Sequence, residues 1–154
     1  MNAKLRPMSN HEVISVFSEG KTSNGNKMNM NYYPQGLERI NKMTRSPSKP
    51  RRGAENSYSR PSHKETYLQE NTNYPRTVLE FGKDEKNKLH PTQKPVALLE
   101  YLVKTYTLEN ETVLDFTMGS GSTGVACKNL NRNFIGIERD DKYFEIAKNR
   151  IENA

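Results

Sequence analysis

The chain has 154 residues, a net charge of +6, 32% hydrophobic residues and no tryptophan. That length suits one ordinary domain, and so low an apolar share excludes a core that involves every residue. A single cysteine, Cys127, excludes an intrachain disulfide. With no signal-peptide pattern and no apolar run long enough to span a bilayer, a cytoplasmic protein with no membrane partner is expected.

Residues 1–19 are read as a fragment of an ordered core. They contain a β-branched and aromatic run, V-I-S-V-F at 13–17, which predicts a strand. Residues 20–75 are rich in Asn, Ser, Pro, Lys and Arg, and their apolar residues show no period. The run R-S-P-S-K-P-R-R-G at 45–53 fits neither a helix nor a central strand, because proline removes a donor and fixes the backbone. A long irregular segment is predicted here, which inside a compact domain is functional or disordered. The charge is uneven. Residues 20–64 carry ten Lys/Arg against two Asp/Glu, a local +8, whereas residues 65–154 carry twelve against fourteen. A concentrated basic excess points to a polyanionic partner.

Residues 76–154 read as the ordered part. R-T-V-L-E-F at 76–81 predicts a strand, and residues 95–106 predict a helix with Pro95 in its first turn. Leu98, Leu99, Leu102 and Val103 recur on one face of that helix at 3.6-residue spacing. Strands are then predicted at 112–116 and 133–138, with a helix at 122–130 between them. A last amphipathic helix at 142–153 turns Phe144, Ala147 and Ile151 inward. No internal repeat is present and no metal site is expected.

The strand–helix–strand of residues 112–138 has the size of a βαβ unit. Gly119, Gly121 and Gly124 match G-x-G-x-x-G between its first strand and its helix. Gly119 and Gly121 would permit tight, left-handed turns and close approach of a ligand to the main chain, and Gly124 would let the helix pack closely on the strand. Glu138 ends the second strand, 17 residues after Gly121. A carboxylate there can hold the two ribose hydroxyls of a nucleoside cofactor. A Walker phosphate loop is disfavoured, since no Lys-Ser/Thr follows the glycines. The glycines alone leave open a dinucleotide site, and also a ligand-free glycine turn.

The surrounding residues bear on that choice. H-P-T-Q-K-P (90–95), D-F-T-M-G-S-G-S-T-G (115–124) and F-I-G-I-E-R-D-D-K-Y-F-E-I-A-K-N-R-I (134–151) together resemble the C-terminal part of a bacterial or phage DNA amino-methyltransferase. N-H-E-V-I-S-V-F (10–17) and Y-P-R-T-V-L-E-F (74–81) also look like landmarks of that family. Such enzymes use S-adenosylmethionine to methylate adenine N6 or cytosine N4 in double-stranded DNA. The order seen here, a basic segment and then the cofactor motifs, is similar to the permuted β-type arrangement. The resemblance implies an α/β fold, a partial Rossmann-like S-adenosylmethionine methyltransferase fold with an irregular basic insertion. It implies that Asp115, Phe116, Gly119 and Gly121 line the cofactor pocket, that Glu138 binds the ribose, and that Arg139 and Asp140 lie near the adenine. Thr92 and Lys94 would help hold the methionine carboxylate. His90 is either part of that site or a structural residue of the loop. Cys127 is expected to be a small core residue. Residues 20–64 take the family's target-recognition position, with Lys49, Arg51, Arg52 and Tyr58 the candidate DNA contacts. A dinucleotide-dependent oxidoreductase becomes the minor alternative.

One departure stands out. The family's catalytic signature is Asp, Asn or Ser, then Pro-Pro, then Tyr or Phe. Its polar groups accept protons from a poorly nucleophilic base amine, and its ring stacks on the flipped base. N-Y-Y-P-Q-G (31–36) and N-T-N-Y-P-R-T (71–77) are the nearest segments, and neither contains Pro-Pro. No catalytic residue is therefore assigned within this chain. A split or truncated enzyme is expected, completed by a chain that carries the motif, with a non-catalytic remnant as the alternative. A sheet lacking that strand would leave an open edge, and residues such as Val113 and Ile135 under-covered.

Overall fold

The computed structural model describes residues 12–18, 31–45, 66–82 and 88–154. They fall in two compact units, residues 1–31 and 32–154. In the first, residues 12–18 form no strand and are exposed throughout. The run at 13–17 has strand composition, but a strand persists only where a neighbour takes its backbone N–H and C=O groups. No described segment pairs with it, and the strand expected there is corrected.

The second unit opens with an element that the sequence pattern conceals. Strand β1 (Glu38–Arg45) pairs antiparallel with β2 (Thr66–Thr72). The segment 20–75 is thus not irregular throughout. Neither strand has a buried residue, so no apolar alternation marks it. A bulge between Arg39 and Lys42 also breaks the period of two, with Asn41 at φ 45°. The ribbon is rooted on the rest of the unit by residues 32–36. Tyr33 N donates to Thr105 O at 2.8 Å, Gln35 Nε2 donates to Lys104 O at 3.2 Å, and the Tyr32 and Tyr106 rings lie 6.2 Å apart. At the base of the ribbon Asn73 Nδ2 donates to Gly36 O at 2.8 Å.

The strand expected at 76–81 is likewise not formed. Residues 76–81 find no hydrogen-bonded neighbour strand among the described residues, and Phe81 instead sets its ring 6.0 Å from that of Tyr101. Tyr101 lies on helix α1 (Val96–Tyr106), with Pro95 at its N-cap, one position before the first turn expected for it. Val103 is buried, and Leu98, Leu99 and Leu102 are half-buried on the same face. The helix ends where Thr107 bonds back to Val103 O through both its N–H (2.9 Å) and its hydroxyl (2.7 Å).

Strand β3 (Thr112–Asp115), helix α2 (Ser122–Asn129) and strand β4 (Asn133–Gly136) form the predicted βαβ unit, followed by helix α3 (Asp141–Glu152). β3 and β4 are parallel, with Val113 opposite Phe134 and Asp115 opposite Gly136. Helix α2 is the centre: it packs on α1, α3 and β4, and Ser122, Gly124, Val125, Ala126 and Cys127 are all buried. The alternation of the strands sorts two faces. Val113, Asp115, Phe134 and Gly136 are half-buried, while Leu114, Phe116, Ile135 and Ile137 are more than half exposed. Ile135 is thus under-covered, as expected. Val113 is not, because its face is the more buried one. On α3, Ala147 is fully buried and Ile151 half-buried. Phe144 is 40% exposed and does not turn inward, because the closest approaches to α2 fall further along α3, at Ala147 and Ile151.

Candidate functional site

The loop between β3 and α2 is set by its two ends. Asp115 closes β3, where its Oδ1 accepts from Thr117 N at 3.0 Å and its Oδ2 from the Thr123 hydroxyl at 2.6 Å. The carboxylate thereby ties the strand end to the first turn of α2. Gly119 and Gly121 have φ of 53° and 78°, a region costly for any residue with a Cβ. Gly121 is also packed against α3: a Cβ there would lie 2.9 Å from Ala147 Cβ and 3.0 Å from its Cα. The space freed at Gly121 is therefore taken by protein. At Gly124 a Cβ would meet Ile151 and, at 2.7 Å, Phe134, so the close helix–strand approach expected there is present.

Glu138 lies two residues beyond β4 and reaches back to this loop. Its Oε2 accepts from Gly119 N at 2.8 Å, and its Oε1 accepts from Arg139 N at 2.9 Å and Asp140 N at 3.0 Å. These amides, that of Asp140 foremost, hold the carboxyl below its ordinary range against some desolvation, with His90 adding a small electrostatic contribution. The group is an anionic acceptor at neutral pH. It stands with Asp115 and Phe116 at the carboxyl ends of the parallel strands, where open α/β sheets bind ligands. Phe116 is 71% exposed there.

The loop 90–95 is joined to the same place. The His90 ring meets Tyr143 edge-on, with centroids 4.3 Å apart, and a Cβ on Gly119 would lie 3.4 Å from it. His90 Nδ1 accepts from Thr92 N at 3.3 Å and lies 3.1 Å from the Thr92 hydroxyl, so His90 orders this loop. Thr92 and Lys94 are exposed. Asp140 caps α3, accepting from Tyr143 N at 3.0 Å, and Arg139 beside it is exposed.

Two connecting residues escape sequence reasoning. Gln93 Oε1 accepts from the Ser120 hydroxyl at 2.8 Å and from Leu89 N at 3.0 Å, linking the 90–95 loop to the glycine loop. Arg150, on α3, donates to Ser122 Oγ at 2.9 Å and Ser120 O at 3.1 Å. The Ser122 hydroxyl thus serves Arg150, and makes no cap bond at the start of α2. Gln93 sits inside the H-P-T-Q-K-P segment, the one hint available for it. Cys127 is fully buried, and burial pushes its thiol up to about 11, in keeping with a core role. Lys49, Arg51, Arg52 and Tyr58 lie outside the described residues. Among the described residues no cluster of His, Cys, Asp or Glu could hold a metal ion, and no helix is long and apolar enough to cross a membrane.

A parallel strand pair, a glycine loop before the crossover helix and an acidic residue just past the second strand define a Rossmann-like α/β protein. The chain belongs to the DNA methylase family N6_N4_Mtase, which matches it over residues 1–149. It is 50% identical over 65 residues to the type II methyltransferase M2.LlaDCHI of Lactococcus lactis subsp. cremoris, 42% of this chain and 24% of the relative. It is 49% identical over 63 residues to M2.DpnII of Streptococcus pneumoniae, 41% of this chain and 24% of the relative. These matches span about a quarter of the length of those relatives. Among solved structures, the complex of M1.HpyAVI with SAM is similar at 50% identity and a TM-score of 0.44, over 48% of this chain and 36% of that one.

Proposed function

We propose that this chain forms the S-adenosylmethionine-binding part of an amino-methyltransferase acting on adenine N6 or cytosine N4 of double-stranded DNA. The observation that carries this reading is the Glu138 carboxylate, drawn onto the Gly119 amide of the glycine loop in a chain of the DNA methylase family. The residues present fit the cofactor. Glu138 is an ionised acceptor suited to ribose hydroxyls. The turn at Gly119, held between His90 and Glu138, brings main chain to the strand ends. Asp115 and Phe116 stand beside it, and Lys94 and Thr92, on the loop that Gln93 ties to Ser120, supply a cation and a hydroxyl for a carboxylate. Arg139 and Asp140 flank the adenine end, with Asp140 engaged as a helix cap.

When bound, the cofactor supplies a sulfonium-activated methyl group. This chain's residues hold and orient it, and Glu138 keeps its charge while doing so. Groups that accept protons from the base amine are not provided by an Asp/Asn/Ser-Pro-Pro-Tyr/Phe segment, since the 154 residues contain no Pro-Pro. In this reading they come from residues outside this sequence, on the same or a complementing polypeptide, and Lys49, Arg51, Arg52 and Tyr58 contribute to DNA contact. A cytoplasmic location suits a DNA substrate. Calorimetric titration tests the reading. S-adenosylmethionine gives a saturable heat, with an affinity that Glu138→Ala lowers at least tenfold, and NAD gives none. Binding of NAD in preference would support the oxidoreductase alternative. A methyl-transfer assay on duplex DNA with the 154-residue chain alone gives no product, and turnover there would refute the assignment of proton acceptors to other residues.

A further inference from the structure

We propose that one face of the β1–β2 ribbon is the surface that enters the major groove of duplex DNA, with Arg39 and Lys42 on phosphates and Asn71 at a base edge. The inference rests on the DNA partner of the proposed function and is independent of its cofactor.

The strand register sorts the ribbon's side chains. Arg39 stands opposite Asn71, Lys42 opposite Gln69 and Thr44 opposite Tyr67. Along β2, residues 67, 69 and 71 share one face, and 66, 68, 70 and 72 the other. Arg39 and Lys42 are three residues apart, so in a regular strand they would point to opposite faces. The bulge between them adds one residue and brings both cations onto the face of Gln69 and Asn71. The two carboxylates go the other way: Glu38 stands opposite Thr72, and Glu70 shares the Thr72 face. An ordinary solvated ribbon would set opposite charges across from one another. Here the face of Gln69 and Asn71 carries Arg39 and Lys42 with no carboxylate, while both carboxylates lie on the other face, together with Arg45 opposite Thr66.

The cationic face also carries groups that read nucleic acid: two amides, the Thr44 hydroxyl and the half-exposed ring of Tyr67. Arg and Lys take phosphates and guanine edges, and Asn and Gln suit adenine. Gln69 is held in place, accepting from the Thr44 hydroxyl at 3.1 Å and donating to Asn71 O at 3.2 Å. Arg39 uses its Nε on Asn41 Oδ1 at 3.4 Å, one of five guanidinium N–H groups. Arg39 and Lys42 are exposed. A two-stranded ribbon fits the width of the major groove of B-DNA. The local +8 of residues 20–64, which include β1, adds charge complementarity. The opposite face sets the exposed pair Met43 and Leu68 across from each other, which is the surface an apolar protein partner would use.

Fluorescence anisotropy of a short labelled DNA duplex with the 154-residue chain, over a range of salt, tests this. The Arg39→Ala/Lys42→Ala variant should bind at least tenfold more weakly at low salt. Its slope of log affinity against log salt should fall by about 1.8, roughly 0.9 for each phosphate no longer neutralised. Arg39→Lys/Lys42→Arg should retain the slope. Asn71→Ala should weaken binding severalfold with the slope unchanged, because a base contact releases no counterion. Methyl green, which occupies the major groove, should compete, and netropsin in the minor groove should not. Met43→Ser/Leu68→Ser should bind as the parent does. Failure of the parent chain to bind DNA, unchanged binding by Arg39→Ala/Lys42→Ala, or loss confined to the Met43/Leu68 face would each overturn the proposal. Titration of the same variants with S-adenosylmethionine keeps the two readings apart. Absent cofactor binding with face-dependent DNA binding refutes the proposed function alone. Normal cofactor binding with face-independent DNA binding refutes this inference alone.

Discussion

Around α2 the fully buried positions are small. Ala126, Cys127 and Ala147 have no exposed surface, and Gly121 and Gly124 meet α3 and β4 with no room for a methyl group. In the β1–β2 ribbon no residue is buried, and its side chains form two open faces joined by backbone hydrogen bonds. The first region holds its shape by close packing, and the second by a ladder and a root on α1. Substitutions should therefore be felt as stability in the α2 region and as partner binding in the ribbon.

The sharpest break of that contrast is Gly121→Ala. It forces a Cβ onto a left-handed backbone and against the main chain of Ala147. The combined strain and overpacking should cost about 3 kcal/mol, read as a lower urea midpoint at unchanged slope. A variant as stable as the parent would mean that α3 is not seated on the loop. Next comes the alkaline limb. The Cys127 thiol, raised by burial to about 11 from an ordinary 9.0, stays protonated when folded while its unfolded counterpart ionises. The unfolded state then binds fewer protons, so stability is intact below about pH 9 and declines as pH rises toward about 11. Cys127→Ala should lack that part of the decline in thermal melts taken across this range.

The acid limb has the opposite sign. The folded Glu138 carboxyl ionises below its unfolded value, so its contribution is present above that value and is lost as pH falls through the depressed one. Glu138→Gln should unfold in acid with a shallower dependence on pH. The smallest effect belongs to the ribbon. Met43→Ser/Leu68→Ser should shift stability by no more than about 0.5 kcal/mol, because both residues are exposed. A large loss there would show that the ribbon is packed against something in the free chain.

The same contrast governs what was legible in the sequence. The βαβ unit could be read because its glycines, its apolar alternation and its terminal Glu138 are consequences of close packing and of a turn, and packing leaves periodic marks. The ribbon left none, since exposed strands with a bulge have no apolar period. Residues 13–17 and 76–81 misled for the converse reason: they have strand composition, but a strand also needs a neighbour, which composition does not report. Gln93 and Arg150 act on Ser120 from 27 and 30 residues away, so their roles exist only once the chain has folded. Phe144 fits the helical period, yet the contact between α2 and α3 is set further along by Gly121 and Gly124.

The central claim is that Glu138 and the glycine loop hold S-adenosylmethionine. Isothermal titration of the parent chain and of Glu138→Ala tests it most directly. The parent should bind saturably and the variant at least tenfold more weakly, because the cofactor then loses a charge-assisted acceptor. Equal affinity of parent and variant, or no heat with the parent at any concentration of cofactor, would contradict it.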